Sequence, residues 1–135
     1  MDELAATLRD VLARGPSLRI AILFGSRARG TARPDSDVYV AVLPSDASLS
    51  LAAENALGAE LERAARLPVD LVRLDQASDA LAWRIARDGI VLLSDPPFAA
   101  GRWIARVGIE HDEHAELEAR AVRTYAAALA RGAPR

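Results

Sequence analysis

The sequence predicts a single mixed α/β layer structure, a small sheet flanked by helices with a helical C-terminal arm. Three observations carry that expectation. Residues 37–43 alternate, with Val38, Val40 and Val42 on one side and Asp37, Tyr39 and Ala41 on the other, the two-residue period of a strand. Short apolar runs at 18–24, 69–74 and 90–93 are each bounded by Gly, Pro or Asp, as buried strands are. Between them lie segments whose apolar residues recur at helical spacing, and such an alternation of helices and strands is satisfied by layers around one core.

Taken in order, residues 2–14 form a helix with Asp2 as N-cap and Leu4, Leu8, Val11 and Leu12 on one face, ended by Gly15-Pro16-Ser17. The strand 18–24 stops at Gly25-Ser26, and a polar loop over 31–36 leads to the strand 37–43, which Pro44 terminates. A long helix is expected over 48–66, turning Ala53, Leu57, Leu61 and Ala64 inward, with Pro68 ending it before the strand 69–74. Ser78 caps a helix reaching Arg87 with Leu81 and Ile85 inside, and Asp88-Gly89 turns the chain into the strand 90–93. After Pro96-Pro97 two further helices are expected, 98–107 and 111–131. The whole, 1–135, reads as one domain, with a core over 1–95 and the arm over 96–135.

Composition narrows the function classes. The 135 residues are 51% hydrophobic and 27% charged, ordinary for a globular chain, and no apolar run approaches the ~20 residues a membrane helix needs. The acidic start Met1-Asp2-Glu3 lacks the basic opening of a secretory signal. Cysteine is absent, which excludes disulfides and thiolate metal sites and fits the cytoplasm. All 17 basic residues are arginine, so lysine Schiff-base and Walker-type chemistry are excluded. A net charge of −2 gives no global attraction to nucleic acid, and any phosphate binding must be local.

The chemistry concentrates in Gly25-Ser26-Arg27-Ala28-Arg29-Gly30, followed after ten residues from Ser26 by Asp37-Val38-Tyr39. A glycine turn lets backbone N–H groups approach phosphate oxygens, the Ser26 hydroxyl adds a donor, and Arg27 and Arg29 add charge. Asp70 interrupts the apolar segment Val69-Asp70-Leu71-Val72, where a bare carboxylate is costly unless paired or bound to metal.

These residues resemble the signature of the polymerase-beta-like nucleotidyltransferases, above all their minimal (MNT) branch. The resemblance covers residues 18–93, including Ile85-Ala86-Arg87-Asp88-Gly89-Ile90-Val91-Leu92, which is similar to the family's closing helix-to-strand passage. It implies a nucleotidyltransferase fold, Mg²⁺ and ATP as cofactor and substrate, Gly25, Ser26, Arg27 and Arg29 on the nucleotide, and Asp37 and Asp70 as catalytic metal ligands. It also implies the antitoxin half of a toxin–antitoxin pair, whose partner is a HEPN-domain ribonuclease toxin that receives AMP on a tyrosine.

The family's second strand carries Asp-x-Asp, and here the second carboxylate is Tyr39. A phenol with a reference pKa of about 10 is neutral at pH 7 and bulkier than the hard anionic ligand that Mg²⁺ takes. Asp35 and Asp75 are the other carboxylates nearby. Three readings of Tyr39 stand open in the sequence: a pseudoenzyme that keeps a binding role, an accidental or engineered change in an active enzyme, and weak activity through one metal or a substitute ligand. Two alternatives to a catalytic antitoxin go with them: a silent antitoxin that acts by steric cover, and a small-molecule nucleotidyltransferase.

Outside the motif, His111 and His114 are either a metal pair or part of an acidic, solvated first helical turn. Trp83 and Trp103 read as packing anchors ahead of base-stacking platforms. Arg33 reads as solvated or as reaching a triphosphate. Ala115, Ala119, Val122, Tyr125 and Leu129 form a stripe that covers either the chain's own core or a partner.

Overall fold

The computed structural model describes residues 2–46 and 49–132. Its elements are α1 (Asp2–Arg14), β1 (Leu18–Phe24), α2 (Ser26–Arg29), β2 (Val38–Pro44), α3 (Leu51–Ala65), β3 (Val69–Arg73), α4 (Asp79–Asp88), β4 (Ile90–Ser94) and α5 (Ala99–Ala130), with a 3₁₀ turn at Leu74–Gln76. The side-chain cap expected of Asp2 and the helix start expected at Ser48 lie outside the described residues. Among the described residues α3 starts at Leu51, because the Ser50 hydroxyl accepts the Ala53 N–H at 3.1 Å and so caps it.

The four strands form one mixed sheet in the order β3-β2-β1-β4, with β1 antiparallel to both neighbours and β2 parallel to β3. The sheet is covered on both faces. Leu8, Val11 and Leu12 of α1 and Leu57 and Leu61 of α3 pack on Leu23, Val38, Val40 and Val42. Ile85 of α4 and Ala100, Trp103 and Val107 of α5 pack on Ile20, Ile22, Phe24 and Ala41. The strict alternation in β2 therefore feeds two cores, one per face, as strand geometry requires.

A bulge at Arg19 sets this up in β1. Leu18 pairs with Pro44 but Ile20 with Leu43, so Arg19 is an extra residue that turns out to solvent and shifts Leu18 to the opposite face from Ile20. Two expectations are corrected. Ala64 is exposed and Ala65 packs in its place. The glycine turn after β1 closes one helical turn over residues 26–29. The arm is one continuous helix of 32 residues, because the alanines, arginines and glutamates along it outweigh the cost of a glycine at 108. Among the described residues, no helix is long and apolar enough to cross a membrane.

Candidate functional site

Gly25 ends β1 at φ 84°, ψ −159°, a conformation essentially restricted to glycine. It releases the strand directly into α2, whose Ala28 and Arg29 N–H groups donate to Gly25 O at 3.0 and 3.1 Å. Gly30, at φ 75°, closes the turn, and Thr31 N–H donates to Ser26 O at 3.0 Å. The glycines thus fold Ser26–Arg29 into a tight knuckle at the C-terminal end of the central strand β1.

Arg27 turns back on the loop that follows. Its Nη2 donates to Ser36 O at 2.8 Å and Pro34 O at 3.3 Å, while its Nε is buried without a hydrogen-bond partner. The guanidinium holds the segment that delivers Asp37. Substituting Arg27→Ala should lower stability by about 2 kcal/mol, the scale of hydrogen bonds made by a charged group. Chemical denaturation checks the magnitude, and limited proteolysis should show new cleavage within residues 31–36. Arg29 is exposed and lies within electrostatic reach of Asp88, whose carboxyl is held below the ordinary range chiefly by the Arg87 guanidinium, with Arg29 adding to the pull.

Asp37 is exposed and immediately precedes β2, where Val38 N–H donates to Pro68 O at 2.9 Å. One pleat further on, Tyr39 stands directly opposite Asp70 in the parallel register of β2 and β3. Strand alternation therefore gathers Asp37, Tyr39 and Asp70 at one corner of one sheet face. Asp70 is exposed, and its place on the edge strand β3 gives it the water that an unpaired carboxylate needs.

Tyr39 is half-buried and fitted to its surroundings. Its ring lies 5.6 Å from the Phe24 ring at 39°, and a Cβ added to Gly25 would come within 3.1 Å of its Cδ2. The space that Gly25 leaves open is the space the Tyr39 ring uses. Phe24 is the participant that the sequence did not single out; its signal was its place directly across the β1–β2 ladder from Tyr39.

The donor set at this corner is two carboxylates and one phenol. Among the described residues no group of three or more His, Asp or Glu side chains converges as metal ligands. Asp37 and Asp70 offer hard anionic oxygens for a single divalent ion with water completing its shell, and a two-metal clamp does not fit these residues. Asp75 is no substitute: Arg73 Nε and Nη2 bind its two oxygens at 3.1 and 2.9 Å and hold its carboxyl below the ordinary range.

The remaining candidates sit elsewhere. His111 and His114 occupy the middle of α5, not a first turn; His111 stacks on Trp83 at 3.9 Å and 2°, and His114 pairs with Glu118 at 2.9 Å. Trp103 is buried in the core. Arg33 is exposed, its backbone N–H bonded to Ser36 Oγ.

Comparison with known proteins bears on the family and the fold. The Polymerase beta nucleotidyltransferase family model matches residues 6–97. A protein adenylyltransferase MntA of Aphanizomenon flos-aquae is 29% identical over 126 residues, 84% of each chain. A toxin–antitoxin crystal structure with AMP-PNP superposes with a TM-score of 0.71 at 28% identity, covering 90% of this chain and 97% of that one. The tri-AMPylated Shewanella oneidensis HEPN toxin in complex with MNT antitoxin gives a TM-score of 0.54 at 27% identity, covering 93% of both chains.

Proposed function

The chain belongs to the polymerase beta nucleotidyltransferase family, and from that premise we propose that it is an MNT-type antitoxin that neutralises a HEPN-domain toxin chiefly by binding it. The relatives supply the partner class, since a similar chain is found in complex with a HEPN toxin. The single observation that carries the mode of action is Tyr39, seated opposite Asp70 where the family has its second carboxylate.

AMP transfer from ATP to a toxin tyrosine forms a bond from the phenol oxygen to the α-phosphorus, breaks the bond from that phosphorus to the β-phosphate, and releases pyrophosphate and the phenol proton. The developing charge calls for metal ions on both entering and leaving oxygens. Gly25 and Ser26 still provide a turn suited to phosphate, and Arg29 adds an exposed charge beside it. Asp37 and Asp70 are the residues that would hold a single Mg²⁺. What the corner lacks is the carboxylate that bridges a pair of ions, so the binding half of the activity is retained and the transfer half is cut back.

The test is coexpression with the product of the adjacent gene, which this reading requires to be a HEPN toxin. The chain is expected to restore growth and to copurify with the toxin, and incubation with Mg²⁺ and α-labelled ATP should leave the toxin unlabelled. Failure to copurify would overturn the antitoxin reading. Copurification with stoichiometric labelling would overturn the binding mode alone.

A further inference from the structure

The first part of α5 packs Ala100, Trp103 and Val107 into the core, and the same helix face then runs past the end of the body. At intervals of three and four residues it continues through His111, Ala115, Ala119, Val122, Tyr125, Ala126 and Leu129, broken once by Glu118, which His114 pairs at 2.9 Å. Beyond His111 this face is exposed among the described residues: Val122 is 68% exposed, Tyr125 67% and Leu129 43%. Of the two readings open in the sequence, own core or partner, this exposure leaves the partner. An amphipathic helix is rarely stable alone in water, and its apolar face is normally covered.

The charges on the arm say what covers it. Residues 110–118 hold Glu110, Asp112, Glu113, Glu116 and Glu118 and no arginine, whereas residues 119–131 hold Arg120, Arg123 and Arg131 and no acid. Each arm is acidic on its near half and basic on its far half. A second copy laid antiparallel sets each acidic half on a basic half, and a parallel copy would set acid on acid. Glu116 and Arg123 lie on the same flank of the stripe, seven residues apart, so an antiparallel crossing near residue 120 brings Glu116 of one arm beside Arg123 of the other. Ala115, Ala119 and Ala126 on the stripe allow close approach of the two helices.

We infer that the distal half of α5 is a self-pairing arm, joining two copies of this chain through an antiparallel helix pair centred near residue 120. The twofold arrangement is isologous and closes on itself, which makes a dimer and not a filament. This pairing is independent of the antitoxin reading, and either can fail without the other.

Sedimentation equilibrium of the purified chain at 10–100 µM, a range chosen for ordinary dimer affinities, is expected to give twice the chain mass of 14.4 kDa. The double variant Val122→Glu, Leu129→Glu should be monomeric and should still unfold cooperatively, because both positions are exposed in the single chain and only the pairing is lost. Glu116→Arg should weaken the dimer, and adding Arg123→Glu should restore it, a recovery that a merely structural role of either residue would not give.

The chain has no cysteine, so single cysteines report orientation. Ala119→Cys should crosslink to its own copy on oxidation. Ala126→Cys should not, because its copy lies about 18 Å away along an antiparallel pair at 1.5 Å per residue. A monomer across the whole concentration range, a dimer indifferent to the Val122 and Leu129 changes, or equal crosslinking at both positions would each overturn the proposal. A monomer that pairs only once the toxin is added would assign the stripe to the toxin instead.

Discussion

Substituting Gly89→Ala should destabilise the protein by about 3 kcal/mol, the upper part of the range for overpacking a close-packed interior, and should lower its melting temperature by roughly 10 °C. The reason is space, not backbone conformation. Gly89 has φ −71° and ψ 153°, an extended geometry open to any residue. A Cβ there would lie 2.4 Å from Ile22 Cγ2 and 2.5 Å from Ile85 O. Ile22 is a fully buried residue of β1, and Ile85 O already accepts the Gly89 N–H at 2.8 Å, ending α4. Neither is the free end of a flexible side chain, so α4 must lift from the sheet or the hydrogen bond must lengthen. The control has the opposite sign. Gly58 lies inside α3 with nothing within 4 Å of an added Cβ, and Gly58→Ala should stabilise by about 0.5–1 kcal/mol through helix propensity. Thermal and urea unfolding of the two variants side by side separate them; equal effects would show that Gly89 is not packed as described.

The contrast between those two glycines also shows what can be read from residues alone. Strand β1 and the cap Ser78 were legible because they depend on local chemistry: an apolar run broken by glycine, and a hydroxyl facing the first free N–H groups. That Asp37 and Tyr39 share a strand face was legible from alternation, and the family resemblance implied Asp70 on a neighbouring strand; the register that sets Tyr39 opposite Asp70 came from the fold. What was hidden depends on neighbours far away in sequence. That the Tyr39 ring fits against Gly25 and Phe24 follows from the β1–β2 register, which no single segment contains. The Arg27 guanidinium is drawn to Pro34 O and Ser36 O by the path of the loop, and a motif gives no hint of it. The continuous α5 defeats the usual reading of Gly108 as a break, since one glycine costs about 1 kcal/mol and twenty good helix formers around it outweigh that.

Tyr39→Asp is expected to convert the chain from a binder into a transferase, at a measurable cost in stability. The ring's contacts with Phe24 and the Gly25 backbone are lost, and because Tyr39 is half-buried the loss should be about 2 kcal/mol, less than the 3–5 of a fully buried aromatic. The new carboxylate stands opposite Asp70 and one pleat from Asp37, so without a cation three like charges share the corner and add to the cost. That same crowding makes the site a ligand for divalent ions. The variant's melting temperature should therefore rise on adding millimolar Mg²⁺ and fall in EDTA, by the linkage of binding to folding, while the parent chain responds weakly. In the presence of Mg²⁺, labelled ATP and the HEPN toxin, the variant should label the toxin and the parent should not. Tyr39→Phe keeps the ring without the carboxylate and should match the parent in stability and in lack of labelling. Equal labelling by parent and Tyr39→Asp would show that Asp37 and Asp70 suffice with one ion. A Mg²⁺-stabilised variant that still transfers nothing would place the defect in the nucleotide knuckle at Gly25–Gly30, and would leave Tyr39 as a packing residue alone.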